Sequence, residues 1–193
     1  MKFKTLYTKA KDLDNSIDNF IETEKISFLP FNDLEKTVMN VFPDAVMDNF
    51  GLHKIVFRLR HKTHILALKV GRAQSIEYDH RVYKQLPKDS RDVYFARIFW
   101  HTKYALLQEW GIEVEVSPQQ LLQLRGIAEK YGLLDVTCDN IRSIDSNLKI
   151  IDAVIAPDGM FKLWKTYDFI NQNFPTPVRK AIRRSRKLFA FKT

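Results

Sequence analysis

The chain has 193 residues, 45% of them hydrophobic and 28% charged, with a formal net charge of +8, a profile of one sizeable folded core or two units sharing a cleft. No run of eighteen apolar residues occurs and none follows the lysines of residues 1–11, so a membrane span and a secretory leader are not expected and a cytoplasmic location is. The single cysteine, Cys138, excludes an internal disulfide, and six glycines with seven prolines leave no low-complexity linker.

The first forty residues read as helical and polar. At 31–35 the order Phe-Asn-Asp-Leu-Glu suggests Asn32 as a helix cap with Glu35 reaching back, and Leu34, Val38, Met39 and Phe42 form an apolar stripe up to Pro43. From Ala45 strand formers dominate. Residues 55–60 and 65–70, separated by the polar 61–64, predict an antiparallel hairpin. Residues 74–86 predict a helix closed by Pro87. Two further strands are expected around 94–100 and 104–108, joined by a tight polar turn at His101-Thr102-Lys103.

Glu109-Trp110-Gly111 marks a change of element. Residues 118–131 then carry helical spacing, with Leu121, Leu122, Leu124, Ile127 and Ala128 apolar, and Gly132 stops the helix. Two short strands near 141–144 and 149–151 are joined by the turn Asp145-Ser146-Asn147. Such an order is α+β with two lobes.

The positive charge is concentrated at one end. Seven Lys or Arg and no acid lie from Arg179 onward, which leaves the rest of the chain close to neutral. Thr176 before Pro177 starts a helix whose Val178, Ala181, Ile182, Ser185, Leu188 and Phe189 make one stripe beneath a basic face. That face reads either as a solvated surface or as a contact for nucleic acid, a ribonucleoprotein particle, an acidic partner or an anionic membrane surface.

The chemistry-bearing residues cluster late. Asp135, Asn140 and Asp152 stand at the rims of apolar segments, after a helix stop and around the short hairpin. The spacing Asp-x-x-x-x-Asn alone carries nothing, since it occurs four times in the chain; its context after 118–131 gives it weight. Here the sequence resembles the protein-kinase-like superfamily, whose catalytic loop reads His-x-Asp-x-x-x-x-Asn and whose metal-binding Asp opens an Asp-Phe-Gly segment after a short hairpin. Thr137, two residues after Asp135, brings the chain nearer the compact atypical branch, the RIO-like and small bacterial-type kinases.

The resemblance implies a bilobal protein-kinase-like fold: a helical N-terminal extension at 1–43, an antiparallel-sheet N-lobe at 44–111, a truncated, mostly helical C-lobe with the catalytic loop at 112–174, and a basic C-terminal helix at 175–193. It implies ATP and Mg²⁺ as cofactors, Asp135 as the catalytic acid-base group and Asn140 and Asp152 as metal ligands. Lys69, in the Ala-x-Lys form of the strand at 65–70, would pair the phosphates. An acid on the next helix should hold Lys69, and both Glu77 and Asp79 are candidates. Asp79 shares its helix face with Val82, Tyr83 and Leu86, whereas Glu77 shares its face with His80, Arg81 and Lys84. Asp79 is therefore preferred and Glu77 stays open. Gly51 would belong to the phosphate loop, Val56 and Ala67 to the adenine roof, and Glu109 and Gly111 to the hinge between lobes.

The chain departs from the family pattern at Leu133, where the family has His, at Ala153-Val154 in place of Phe-Gly, and in the single glycine of 49–56. Its first reading is a Ser/Thr protein kinase acting on a protein, itself included. A pseudokinase or nucleotide-binding interaction module, a kinase for a sugar, lipid or antibiotic hydroxyl, and a non-catalytic nucleic-acid-binding domain are the alternatives. Cys138 reads as a small packing residue sooner than as a redox handle. His53, His61, His64, His80 and His101 show no metal-ligand spacing.

Overall fold

The computed structural model describes residues 2–26, 30–50 and 54–155. Gly51, residues 156–174 and the basic helix expected at 175–193 lie outside the described residues. Among the described residues, five α-helices and a five-stranded antiparallel sheet make an α+β architecture. None of these helices is long and apolar enough to cross a membrane.

The sheet contains β1 (Ala45–Phe50), β2 (Lys54–His61), β3 (His64–Gly71), β4 (Ile98–His101) and β5 (Ala105–Glu109), in the spatial order β1-β2-β3-β5-β4. Its centre is the hairpin β2–β3, paired from Lys54↔Gly71 to His61↔His64, with Lys62 taking the positive φ of 55° that a two-residue turn requires. Alternation then sorts the side chains. Ile55, Phe57 and Leu59 stand opposite Val70, Leu68 and Leu66 and are buried on one face. Lys54, Val56 and Arg58 stand opposite Gly71, Lys69 and Ala67 on the other. Both lysines thus share one face.

The first face is covered by α1 (Lys4–Glu24) and α2 (Phe31–Val41). Leu6, Ala10, Leu13 and Ile17 of α1, with Leu34 and Val38 of α2, recur at the three-to-four residue spacing of one helix side and share a single core with Phe57, Leu68 and Trp100. Each fully buried Leu, Ile or Phe in it contributes roughly 1.5–3 kcal/mol. Two details differ from the sequence expectation. Met39 is exposed rather than part of the stripe. Asn32 lies inside the first turn, because Pro30 takes the cap position and its carbonyl accepts from the Asp33 and Leu34 amides.

α1 is also fastened to the β4–β5 turn. The buried Asp14 carboxylate accepts from Thr102 Oγ1 at 2.9 Å, Tyr104 N at 3.0 Å and Lys103 N at 3.1 Å. One turn on, Asp18 accepts from Lys103 Nζ at 2.6 Å and Tyr104 Oη at 2.7 Å.

α3 (Ala73–Gln85) follows β3, and a further helix not expected from the sequence, α4 (Lys88–Tyr94), ends at Tyr94, where the next strand is expected to begin. Pro87 explains both: it ends α3 and, at the cap of α4, supplies the carbonyl that accepts from Arg91 N at 2.9 Å. The strand begins only at Ile98. α5 (Pro118–Glu129) opens with a capping box between Ser117 and Gln120, and Gly132 leaves it at a φ of 68°. β6 (Leu133–Leu134) pairs with β9 (Val154–Ile155), and β7 (Ile141–Ile144) with β8 (Asn147–Ile150) through the positive-φ pair Asp145-Ser146. A second core joins Val82 and Tyr83 of α3, and Leu86 just after it, to Leu124, Ala128, Ile141 and Ile150. It brings α3 and the β7–β8 hairpin to the face of the sheet that carries the two lysines.

Candidate functional site

Four charged side chains meet on that face. Lys69 points inward from β3 because its neighbours Leu68 and Val70 occupy the opposite face, and it is only 4% exposed. Its Nζ donates to the Ile151 carbonyl at 2.8 Å and lies 3.7 Å from Asp79 Oδ2. Lys54, at the start of β2, donates to Asp79 Oδ2 at 2.5 Å and lies 3.1 Å from Asp152 Oδ2. Two ammonium groups therefore face two carboxylates, gathered from β2, β3, α3 and the segment after β8. Charges removed from water need this pairing.

Asp79 enters the group because Val82 and Tyr83 turn the same side of α3 into the core. Glu77, the other candidate, points outward, its side chain 66% exposed, and meets His101. Lys54 is the residue that sequence reasoning misses. Asp79 has Lys54 as its closest cation, and the nearest acceptor of Lys69 is a backbone carbonyl.

The charges respond to this setting. Burial alone would raise the Asp152 carboxyl, but Lys69 and Lys54 outweigh it and hold the group below its ordinary 3.8. Burial would lower Lys54, yet Asp152 and Asp79 hold it above its ordinary value. Burial prevails at Lys69 over the attraction of Asp152, the Lys54 ammonium adds to the effect, and the group is held below its ordinary value. A depressed carboxyl contributes stability above its unfolded value and loses it as pH falls through the folded one. Asp152→Asn is accordingly expected to flatten the acid limb of a melting-temperature profile below about pH 4, where the unfolded carboxyl begins to bind its proton. Identical acid limbs in thermal melts of variant and wild type would show that the pair with Lys54 contributes nothing.

The loop between β6 and β7 is built around Asp135 and Asn140. Asp135 takes a φ of 67°, a conformation that Asp tolerates better than most residues. Asn140 Nδ2 donates to the Asp135 carbonyl at 2.8 Å, which closes the loop upon itself. The Asn140 carbonyl accepts from Ile151 N at 2.9 Å, so Asn140 lies beside the residue preceding Asp152. Cys138, in the short 3₁₀ turn Cys138–Asn140, is exposed rather than packed, because that turn runs over the surface.

Val56 and Ala67 lie on the Lys69 face, Val56 directly opposite Lys69 and Ala67 two residues before it. Glu109 ends β5, where its Oε2 accepts from Lys149 Nζ at 3.0 Å and from Arg97 N at 2.9 Å. Gly111 has a packing duty: a Cβ there would sit 2.5 Å from Arg142 Cβ and 2.8 Å from Ile144 Cγ1. Its closeness to β7 lets Ile112 and Ser143 exchange backbone hydrogen bonds at 3.1 and 3.0 Å. Gly111→Ala is expected to cost about 1–3 kcal/mol through this overlap, read as a lower urea midpoint at unchanged slope. A wild-type midpoint would show that β7 moves aside freely. Of the expected site residues, Lys69, Asp79 and Asp152 come together, Asn140 and Asp135 share the adjoining loop, and Gly51 lies outside the described residues.

No family model and no curated protein matches the chain.

Proposed function

We propose that this chain is an ATP- and Mg²⁺-dependent phosphotransferase of protein-kinase-like type that phosphorylates Ser or Thr hydroxyls of a protein, its own chain included. In this reading 44–111 serve as the N-lobe and 112–174 as a reduced C-lobe. The observation that carries it is the meeting of Lys69, Asp79 and Asp152 from three distant segments. Protein kinases use a Lys on the third strand, an acid on the helix that follows and an Asp after the catalytic loop, in that chain order. The same order occurs here.

Each residue then has a physical task. Lys69 and Lys54 offer two ammonium groups to the phosphates, the second offsetting the single glycine of the sequence 49–56. Val56 and Ala67 provide an apolar cover for adenine, and the backbone of Glu109 and Gly111 offers polar groups to its edge. Asp152 and Asn140 carry hard oxygen donors on segments joined by the Ile151 N to Asn140 carbonyl bond, a donor set that fits Mg²⁺ and would hold it. Bound there, Mg²⁺ would neutralise phosphate charge. Asp135 orients the acceptor hydroxyl and takes its proton. The hydroxyl oxygen bonds to the γ-phosphorus as the bond to the bridging β–γ oxygen breaks, leaving ADP.

One observation favours a second reading, a nucleotide-binding module without turnover. The Lys54 ammonium sits against Asp152, on the carboxylate that a metal ion would use. Incubating the full chain with labelled ATP and Mg²⁺ separates the two. Label transferred to the chain or to an added protein supports the kinase, and ATP binding without transfer supports the module. Absence of ATP binding at millimolar concentrations would overturn both.

A further inference from the structure

Glu77, the acid of α3 that turns away from Lys69, faces a different set of partners. Its Oε2 lies 3.1 Å from His101 Nε2, at the end of β4. His80, one helical turn after Glu77, stacks on His101 with ring centroids 3.8 Å apart and 24° between the planes. One ligand atom from each of the three lies within 4.8 Å of the others, and the side chains are reached from solvent, Glu77 being exposed and both rings half-buried.

We infer that Glu77, His80 and His101 form a binding site for a divalent transition ion of the Zn²⁺ class, fastening α3 to β4. The donor set argues for this class. Two imidazole nitrogens and one carboxylate oxygen suit Zn²⁺ and its borderline neighbours, whereas Mg²⁺ and Ca²⁺ take oxygen ligands. Glu and His separated by three residues on a helix project side by side, the arrangement by which helices present a Glu-x-x-His pair to a metal. His101 then comes from a neighbouring strand, so the ion would join two elements instead of chelating within one.

Distances agree with this after a small adjustment. Zinc bonds of about 2.0–2.2 Å in tetrahedral geometry hold ligand atoms about 3.4 Å apart. Glu77 and His101 already stand at 3.1 Å. A pair at the 4.8 Å limit closes by about 1.4 Å, through rotation about the side-chain bonds that also opens the His80–His101 stack and turns both ring nitrogens toward the ion. Three protein ligands leave a fourth position for water. Spacing in sequence conceals the site because His101 is remote from the Glu77–His80 pair.

The location gives the ion a consequence. Asp79 lies between Glu77 and His80 in sequence and on the opposite, inward side of α3, bonded to Lys54. An ion on the outer side would restrain the helix that carries Asp79. The site itself does not depend on the proposed kinase activity, and its test uses no nucleotide.

Zn²⁺ titrated calorimetrically into the metal-free full chain is expected to bind with one-to-one stoichiometry and to raise the melting temperature, with millimolar Mg²⁺ failing to compete. His101→Ala and Glu77→Gln should each weaken binding about tenfold or more. Glu77→Gln, an exposed and nearly isosteric change, keeps the test valid should His101→Ala lower stability by itself. Unchanged affinity in both variants would overturn the inference. So would loss of binding in His64→Ala, which would move the ion to the β2–β3 turn.

Discussion

Asp152→Asn is expected to slow the proposed phosphoryl transfer about a thousandfold, the usual scale for removing one group aimed at developing or transferred charge. The substitution keeps the shape of the side chain and removes its charge. It leaves Lys54 and Lys69 facing Asp79 alone. Asp135→Asn should slow transfer comparably while ATP affinity stays near wild type, since the proposed function gives it the acceptor proton and not the nucleotide. Single-turnover transfer and equilibrium ATP binding, measured on the same samples with their melting curves, separate chemistry from binding and from folding. Turnover in Asp152→Asn within about threefold of wild type would remove that residue from the metal site.

The parts of this structure that can be read from the chain are those set by neighbours in sequence. Alternation in 55–60 and 65–70 predicts the β2–β3 hairpin, and the same alternation puts Lys69 on one face with Val56 and Ala67. The choice of Asp79 over Glu77 follows from helix periodicity, because Val82 and Tyr83 turn that side inward. Lys54 escapes this reasoning. It stands at the polar edge of a strand, where a lysine is ordinarily solvated, and its partner Asp79 is 25 residues away. The place of α1 escapes for the same reason: the first forty residues read only as helical and polar, and nothing local indicates that Leu6, Ala10, Leu13 and Ile17 cover one face of the sheet. At Pro87 the local rule is sound but incomplete, since a proline that stops one helix also starts another. Glu77 and His101 meet 24 residues apart, on elements whose contact only the fold specifies.

Asp14→Ala is expected to destabilise the protein by about 3–5 kcal/mol, more than most single substitutions. The carboxylate takes three hydrogen bonds from the β4–β5 turn, two of them from backbone amides that no substituted side chain can replace. Hydrogen bonds to a charged acceptor are worth about 1.5–3 kcal/mol each, and the buried donors left behind incur their own desolvation cost. Alanine also removes the link by which α1 holds the turn, although Asp18 keeps its bonds to Lys103 and Tyr104 one helical turn away. That remaining contact is largely exposed and so contributes little. Asp14→Asn retains one oxygen and should fall between alanine and wild type. Urea denaturation followed by tryptophan fluorescence reads the effect directly, because Trp100 packs in the same core. An alanine midpoint that matches wild type would mean that α1 rests on the sheet through its apolar side alone, with the turn satisfied by water.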